Sequence, residues 1–449
     1  MPALPPVERA LMVQRPPVLG FVCAVCAAQV DIAQACSWRC PRATDTDRHH
    51  VLRIVELPGT PRIVGESDPF LAFRRSLAWD AFAAANGVTD AARDAMVRSV
   101  GAAVAAVAGT SFHITPFERA DALSDELGFS ADGGVWVKDE TAQVAGSHKS
   151  RHLLTILLHL LTAESLGLAG WQAAGGGRPR SRPTLAIASC GNAAYAAATL
   201  AAAVDWPLRV FVPPAANPAV VARLRELHAD VIECPRRAVD PAGDPCIHRF
   251  REAVAGGAIP FTVQGTENAW CHDGGRTIGW ELAADAQEAG SAVDRVFVQV
   301  GAGTFASSLM AGWAAAGDAP RLHAVQTDSC APLARAWSVA ERLGGPDQAV
   351  HHWAECMWPW ERVGASAADG ILDDETYDWL TVLAAMSETS GRPVVASEHH
   401  VLAANEVARR TTGIAVSHTG TAGLAGLLAI RDDVGHDERV AVVFSGVAR

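Results

Sequence analysis

The chain has 449 residues, of which 49% are hydrophobic, so it can bury more than one core, and its length suggests two or three domains. Its formal net charge of −12 is spread along the sequence without a basic stripe interleaved with aromatic residues, which argues against nucleic acid as a partner. The alanine-rich stretches Gly101–Ala108 and Ala196–Ala203 are too short and too weakly apolar to span a bilayer. Charged side chains at Glu8, Arg9 and Arg15 stand where a signal peptide needs an apolar core. We therefore expect a cytoplasmic protein that binds neither nucleic acid nor membranes.

Residues 1–50 form the first predicted unit, an arm rich in proline, cysteine and arginine without a sustained period. Four of the ten cysteines lie here, as Cys23, Cys26, Cys36 and Cys40. Their spacing is close to that with which two knuckles of thiolates hold a tetrahedral Zn²⁺, although the glycine that usually follows each pair is missing. The arm is therefore either a small zinc ribbon or an irregular segment with four unliganded thiols. The other six cysteines are scattered, which fits a reducing compartment.

The rest of the chain alternates short β-like runs with segments of helix length. The predicted strands are Thr184–Ser189, Leu208–Pro213, Asp230–Cys234, Arg295–Gln299, His323–Thr327 and Arg439–Phe444. This alternation predicts an α/β fold in which parallel strands are joined by crossover helices.

Two motifs in this part of the chain indicate chemistry. Lys149 is flanked by His148 and Arg151 and precedes the apolar run Leu153–Leu161, so neighbouring charge and burial can lower the pKa of its amine. The turn Gly301-Ala302-Gly303-Thr304 follows an apolar strand and opens a helix of small residues, where backbone N–H groups converge to hold an anion.

These two motifs belong to a set of five separated segments whose order along the chain is informative. They are Thr115–Phe117 with the strand Val135–Glu140, then Ala145–Arg151, Ser189–Ala194, Val300–Thr304 and Phe444–Gly446. Together they resemble the tryptophan-synthase-β-like superfamily of fold-type-II pyridoxal-phosphate enzymes, among which threonine synthase and threonine ammonia-lyase-like members are the most similar in pattern. The resemblance runs from about residue 66 to the C-terminus.

The resemblance implies two open, twisted parallel-sheet domains with pyridoxal phosphate in the cleft between them. Residues 151–264 would form a small α/β domain, and residues 51–150 and 265–449 would join into the large one. Homodimers are the expected assembly of the family.

The resemblance also implies a role for each motif residue. Lys149 would form the Schiff base and take the α-proton, and Gly301, Ala302, Gly303 and Thr304 would bind the phosphate. His148 would contact the phosphate or simply pack at the helix start. Asn192 would meet the cofactor ring, while the loop Ser189, Cys190, Gly191, Asn192 and Ala193 would hold the substrate carboxylate. Ser445 would face the pyridine nitrogen, where a neutral hydroxyl suits elimination.

The expected activity is therefore that of a lyase acting by β-elimination on a small hydroxy- or β-substituted amino acid, with an α-keto acid and ammonia as products. A threonine-synthase-like elimination or replacement on phosphorylated homoserine is the alternative, favoured by the cysteine-rich arm and by Asp273–Glu281, which resembles a small-residue turn ahead of a helix. Ser150 and Ser445 depart from that pattern. A non-catalytic pyridoxal-phosphate-binding protein is the alternative of another class.

Overall fold

The structure is a computed structural model that describes residues 18–57, 65–171, 182–290 and 292–448. In these ranges the strands are β1 Val18–Cys23, β2 Gln29–Asp31, β3 Leu52–Glu56, β4 Phe117–Arg119, β5 Gly134–Asp139, β6 Leu185–Ala188, β7 Leu208–Val212, β8 Asp230–Glu233, β9 Ile259–Pro260, β10 Arg295–Gln299, β11 Arg321–Thr327, β12 Arg392–Ala396 and β13 Arg439–Phe444. The α-helices there are α1 Pro69–Ala72, α2 Ala78–Ala85, α3 Asp90–Ala108, α4 Asp121–Glu126, α5 Lys149–Ser165, α6 Asn192–Ala203, α7 Pro218–Glu226, α8 Pro245–Ala255, α9 Cys271–Glu288, α10 Thr304–Ala316, α11 Pro332–Leu343, α12 Pro346–Ala349, α13 Trp353–Cys356, α14 Trp379–Glu388, α15 Glu398–Thr412 and α16 His418–Ala429. Short 3₁₀ turns lie at Arg74–Ser76, Val144–Gly146, Val350–His352, Asp369–Ile371 and Arg431–Asp433.

The described strands form three sheets. A six-stranded sheet has the order β12-β11-β10-β13-β5-β4 and is parallel except for β4, and a four-stranded parallel sheet has the order β8-β7-β6-β9. The third sheet, β2-β1-β3, is antiparallel and belongs to the N-terminal arm. The predicted α/β class with two open parallel sheets is confirmed.

The two central strands of the large sheet, β10 and β13, are almost fully buried and have apolar middles. Every residue of β10 is buried, and β13 is buried from Val440 to Phe444. Continuous apolar strands of this kind are typical of parallel sheets that are covered by helices on both faces. In the register of β13 with β5, Phe444 pairs with Asp139, so the ends of these strands bring Ser445 towards the segment that leads into Lys149.

Helix α9 packs unusually close to its neighbours. A Cβ at Gly274 would overlap the carbonyl oxygen of Arg151 in α5, and one at Gly312 of α10 would overlap the carbonyl oxygen of Arg276 in α9. The Asp273–Glu281 segment is therefore not a turn ahead of a helix, as the sequence suggested. It lies inside α9, where its glycines permit close helix contact.

The arm is part of the folded body. Strand β3 pairs with β1, so the arm sheet extends beyond residue 50 to Glu56. The N–H of Ala269 donates to the carbonyl of Trp38 at 2.8 Å, and the Trp38 ring meets the Trp270 ring edge-on at a centroid distance of 5.5 Å. Within the described parts of the chain, no helix combines the length and the apolar character needed to cross a bilayer.

Candidate functional site

Lys149 is the first residue of α5, directly after a strained turn. The turn includes Ala145 and Gly146 in the left-handed region, with φ of 59° and 72°. Burial lowers the pKa of the Lys149 amine. Electrostatic interactions with Asp373 and Cys271 act in the opposite direction and raise it. A lysine amine with a lowered pKa is suited to nucleophilic attack on an aldehyde.

Lysine is rare in this protein. Lys138 and Lys149 are the only lysines in the sequence, which has 37 Lys and Arg residues together. Lys138 is fully buried, and its Nζ lies 2.7 Å from Glu281 Oε2 and donates to the carbonyl of Thr115 at 2.5 Å. Lys149 is therefore the one lysine whose amine is not committed to such an ion pair in the described structure. This scarcity is a sequence signal for Lys149 that is independent of the motif around it.

Arg151 does not act on Lys149 as a neighbouring free cation. Its guanidinium binds Glu140 through Nε at 2.9 Å and Nη2 at 2.7 Å, and it also pairs with Glu281. Thr115 donates to Glu140 at 2.6 Å, and Lys138 completes the cluster at Glu281. The fully buried part of this network has two cations and two carboxylates, and the partly exposed Asp285 lies 3.8 Å from Lys138 Nζ. It ties β5 and α9 to α5, and thereby fixes the helix that begins at Lys149.

Ser445 meets the start of the same helix. The backbone N–H of His148 donates to Ser445 Oγ at 3.0 Å, and His148 Nδ1 lies 2.5 Å from the same oxygen. The imidazole stacks on Phe305, with ring centroids 3.9 Å apart. Burial holds the pKa of His148 well below its ordinary value, so the ring is neutral near pH 7. The structure thus pairs His148 with Ser445. Stacking on Phe305, the residue that follows Thr304, also places the imidazole ring beside the start of α10.

The predicted anion turn joins β10 to α10. Gly303 has a φ of 94°, a left-handed conformation that favours glycine, and Thr304 begins the helix. The Thr304 hydroxyl donates to Asp378, whose carboxylate also accepts from the N–H of Gly265 at 3.2 Å. A Cβ at Gly301 would overlap a carboxylate oxygen of Asp373. Two carboxyl groups of the 373–378 segment therefore lie against the turn, a contact that the sequence motifs do not indicate.

Burial makes both carboxyl groups easier to protonate than carboxyl groups in water. Burial raises the pKa of Asp373 to about 7, although the charge of Lys149 and the N–H of Ala302 act to lower it. Burial also raises the pKa of Asp378. A protonated carboxyl group can donate a hydrogen bond to an anion, whereas an ionised one repels it. The turn can therefore accept an anionic group most readily when Asp373 is neutral.

The Ser189–Ala193 loop approaches from the four-stranded sheet. Helix α6 begins at Asn192, and a Cβ at Gly446 would overlap the Asn192 side chain, so this amide lies beside the residue after Ser445. The N–H of Gly191 donates to Ser189 Oγ at 3.4 Å. Cys190 is exposed to solvent in this loop.

The predicted site residues therefore come from both parallel sheets to one region. Lys149, His148 and Ser445 lie at the ends of β5 and β13, the anion turn lies at the end of β10, and Asn192 lies at the end of β6. The carboxyl ends of strands in open α/β sheets are where ligands usually bind.

Three of the four cysteines of the arm lie together in one cluster, and the fourth lies outside it. Cys23, Cys26 and Cys40 cluster with His50, a residue that the cysteine spacing did not indicate. Cys36 is not a member of this cluster, and its thiol faces the backbone N–H of Gly170 instead.

Residues 110–446 match the family described as pyridoxal-phosphate dependent enzyme. The chain belongs to this family. The predicted membership is thereby confirmed, and with it the class of cofactor.

Solved structures with the same fold include several family enzymes. Maize serine racemase is 18% identical with a TM-score of 0.56, covering 78% of this chain and 93% of its own. A threonine deaminase from T.th. is 21% identical with a TM-score of 0.55, covering 78% and 98%. Diaminopropionate ammonia lyase from Escherichia coli is 15% identical with a TM-score of 0.59, covering 86% and 91%. At these identities the likeness shows the fold, and no curated protein matches the sequence.

The residues of the site fit pyridoxal phosphate. Around Lys149, three buried polar atoms have no hydrogen-bond partner among the described residues, namely Ser147 Oγ, His148 Nε2 and His152 Nε2. Buried polar groups are normally satisfied, so such atoms point to a bound group. Beside the lysine amine and the glycine turn at the N-terminus of α10, they suit a phosphorylated aldehyde.

Proposed function

We propose that this chain is a pyridoxal-phosphate-dependent lyase that eliminates a β substituent from a small hydroxy- or β-substituted amino acid and yields an α-keto acid and ammonia. The observation that carries the proposal is the contact of Ser445 with His148 at the start of the lysine helix. In the proposed arrangement this neutral hydroxyl stands where a carboxylate would otherwise protonate the pyridine. A weakly withdrawing ring favours prompt loss of a leaving group.

Each motif residue has a proposed task. Lys149 would hold the cofactor aldehyde covalently and would move the substrate α-proton at its Nζ. The N–H groups of the 301–304 turn would hold the phosphate, aided by the positive end of the α10 dipole. The Ser189–Ala193 loop and the N-terminus of α6 would orient the substrate carboxylate, and Asn192 would contact the ring. When bound, the cofactor would supply the electron sink for breaking the Cα–H bond.

The charges near Lys149 disfavour a phosphorylated substrate. Of the three cationic candidates in these motifs, Arg151 is paired with Glu140 and Glu281, and Arg276 is paired with Glu56. Burial lowers the pKa of the third, His152, to about 3, so it is uncharged at neutral pH. A second phosphate would need free cations. The described part of the site instead offers carboxyl groups, which supports the choice of an unphosphorylated amino acid.

Steady-state assays on the purified holoprotein test the reaction. We expect keto-acid release from serine or threonine, or from another β-substituted amino acid, and little phosphate release from phosphohomoserine. Efficient phosphate release with negligible keto acid would instead establish the threonine-synthase-like alternative. A visible absorbance of bound cofactor that no candidate amino acid perturbs would mark a non-catalytic binding protein.

Of the two possibilities that the cysteine spacing left open for the arm, we propose the zinc site, and we propose that its zinc is structural. A set of four protein ligands leaves no open position on the metal, and an open position is what catalytic zinc requires.

A further inference from the structure

The arm brings four metal-ligand side chains together in space. Cys23 ends β1, Cys26 lies in the turn to β2, and Cys40 and His50 lie in the segment that leads to β3. One ligand atom from each residue can be chosen so that all four lie within 4.8 Å of one another. Cys23, Cys40 and His50 are buried, and Cys26 is half-buried.

Three of the six distances between the ligand atoms are close to the edge lengths of a zinc tetrahedron. His50 Nδ1 lies 3.3 Å from Cys23 Sγ and 3.4 Å from Cys40 Sγ, and the thiols of Cys26 and Cys40 are 3.5 Å apart. With Zn–S bonds of about 2.3 Å and Zn–N bonds of about 2.0–2.1 Å, tetrahedral ligand atoms are separated by roughly 3.5–3.8 Å. The four atoms are thus already close to coordinating positions.

The backbone around the thiols has the form of zinc knuckles. The N–H of Val25 donates to Cys23 Sγ and the N–H of Arg42 donates to Cys40 Sγ, both at 3.4 Å. Ala27 takes a φ of 55°, so the turn after the first cysteine pair forms although glycine is missing there.

A carboxylate orients the histidine. His50 Nε2 lies 3.1 Å from Asp47 Oδ2, which leaves the lone pair of Nδ1 to face Cys23 and Cys40. Ligating histidines almost always donate their other ring N–H to such a partner, which fixes the tautomer and raises ligand basicity. A cluster of free thiols would not require a histidine oriented in this way.

We propose that Cys23, Cys26, Cys40 and His50 bind one structural zinc ion, with Asp47 orienting His50 and with Cys36 taking no part. Cys36 is left out because its thiol faces the N–H of Gly170, on another part of the body. The site is independent of the proposed lyase reaction.

Metal analysis of the purified full chain, prepared without chelator, tests the ligand set. We expect about one zinc per chain in the parent protein and in Cys36→Ser, and loss of the metal in His50→Ala. His50→Cys keeps four ligands, so it should retain the metal and show that loss in His50→Ala is not simply misfolding.

Chelator competition tests the orienting role of Asp47. Asp47→Asn should weaken zinc affinity by about 10–100-fold, while Asp45→Asn, a change on the same loop, should not. After cobalt substitution, the visible spectrum should show thiolate coordination in the parent protein and in Cys36→Ser. A parent protein without zinc, or zinc that survives in folded His50→Ala and is lost in Cys36→Ser, would overturn the proposal.

Discussion

Lys149 is expected to carry the covalent link to the cofactor, and the scarcity of lysine makes this unusually easy to test. After borohydride reduction, a pyridoxyl adduct on a side-chain amine can form only at Lys149 or Lys138. Lys149→Ala should lose the adduct and the keto-acid activity, because other residues bind the phosphate and the ring but only this amine makes the link. Peptide mass spectrometry locates the adduct, and an adduct on Lys138 would refute the assignment.

Lys138→Ala is the matched control for that variant. It leaves Glu281 with one cation fewer in a fully buried network, so it should destabilise the fold by about 3–5 kcal/mol. In the fraction that folds, the adduct on Lys149 should remain.

Asp373 should make cofactor binding depend on pH. Its pKa is raised by burial to about 7, so the carboxyl group is largely neutral below that pH and ionised above it. The ionised form lies against Gly301 and would repel a phosphate, so pyridoxal-phosphate affinity should fall as the pH rises through about 7. Asp373→Asn should remove this fall and bind the cofactor at least about tenfold more tightly at pH 8, equivalent to about 1.4 kcal/mol.

Equilibrium titration of the apoprotein, followed by absorbance or fluorescence, measures this effect. Pyridoxal without its phosphate serves as the control ligand, because its affinity should be nearly the same in Asp373→Asn and in the parent protein. An equal gain for both ligands would place Asp373 away from the phosphate.

Ser445→Asp should slow elimination by about tenfold or more, or at least about 1.4 kcal/mol in the barrier, because a carboxylate would hold the ring nitrogen protonated. Ser445→Ala is the control for loss of the contact with His148, because it removes the hydrogen bond without adding a charge. Steady-state keto-acid release gives both rates. Unchanged kinetics in Ser445→Asp would show that residue 445 does not face the pyridine.

At the scale of elements, the sequence predicts the strands of the two parallel sheets except β4, β9 and β12, which lie at sheet edges. β10 and β13 have the bounds predicted from their apolar runs, and β6, β7 and β8 lie within the predicted runs. β12 was not foreseen, because Pro393 weakens its strand pattern, and proline is tolerated there since β12 is an edge strand. The glycines of Asp273–Glu281 predicted a turn, but contact with α5 keeps them helical.

The close helix contacts give a stability prediction. Gly312→Ala should destabilise the fold by about 1–3 kcal/mol or more, because its Cβ would overlap the Arg276 carbonyl oxygen. Gly101→Ala in α3 is the control, since its Cβ would meet only Asp68 Oδ2 at 3.7 Å and alanine is the better helix former by about 0.8–1.0 kcal/mol. Guanidinium denaturation compares them, and equal stability of the two variants would contradict the contact.

At the scale of the whole molecule, the sequence could indicate the motif residues but not their partners. Lys149, Asn192 and Ser445 lie in recognisable motifs, whereas His50 and Asp373 reach their clusters only through contacts between segments far apart in the chain. No local spacing encodes such contacts. This is why His50, the carboxyl groups at the anion turn and the network around Arg151 emerge only from the fold.

The arm and the body should unfold together. His49, next to the ligand His50, packs on Trp353 at a centroid distance of 4.4 Å and accepts from Trp379 Nε1 at 3.3 Å. Trp379 follows Asp378, which binds the anion turn. Structural zinc contributes on the order of 10 kcal/mol to the folding of small domains. Removal of the zinc should therefore lower the stability of the body as well as that of the arm.

Calorimetry with and without chelator measures this coupling. Because each kcal/mol moves the unfolding midpoint of a domain by about 2–4 °C, chelation should lower the main transition by more than about 5 °C, and added zinc should restore it. His50→Ala should unfold at the lowered midpoint with or without chelator. A separate small transition that chelator abolishes, with the main one unmoved, would show instead that the arm folds as an independent unit, and that the contacts of His49 and Trp38 do not transmit its stability to the body.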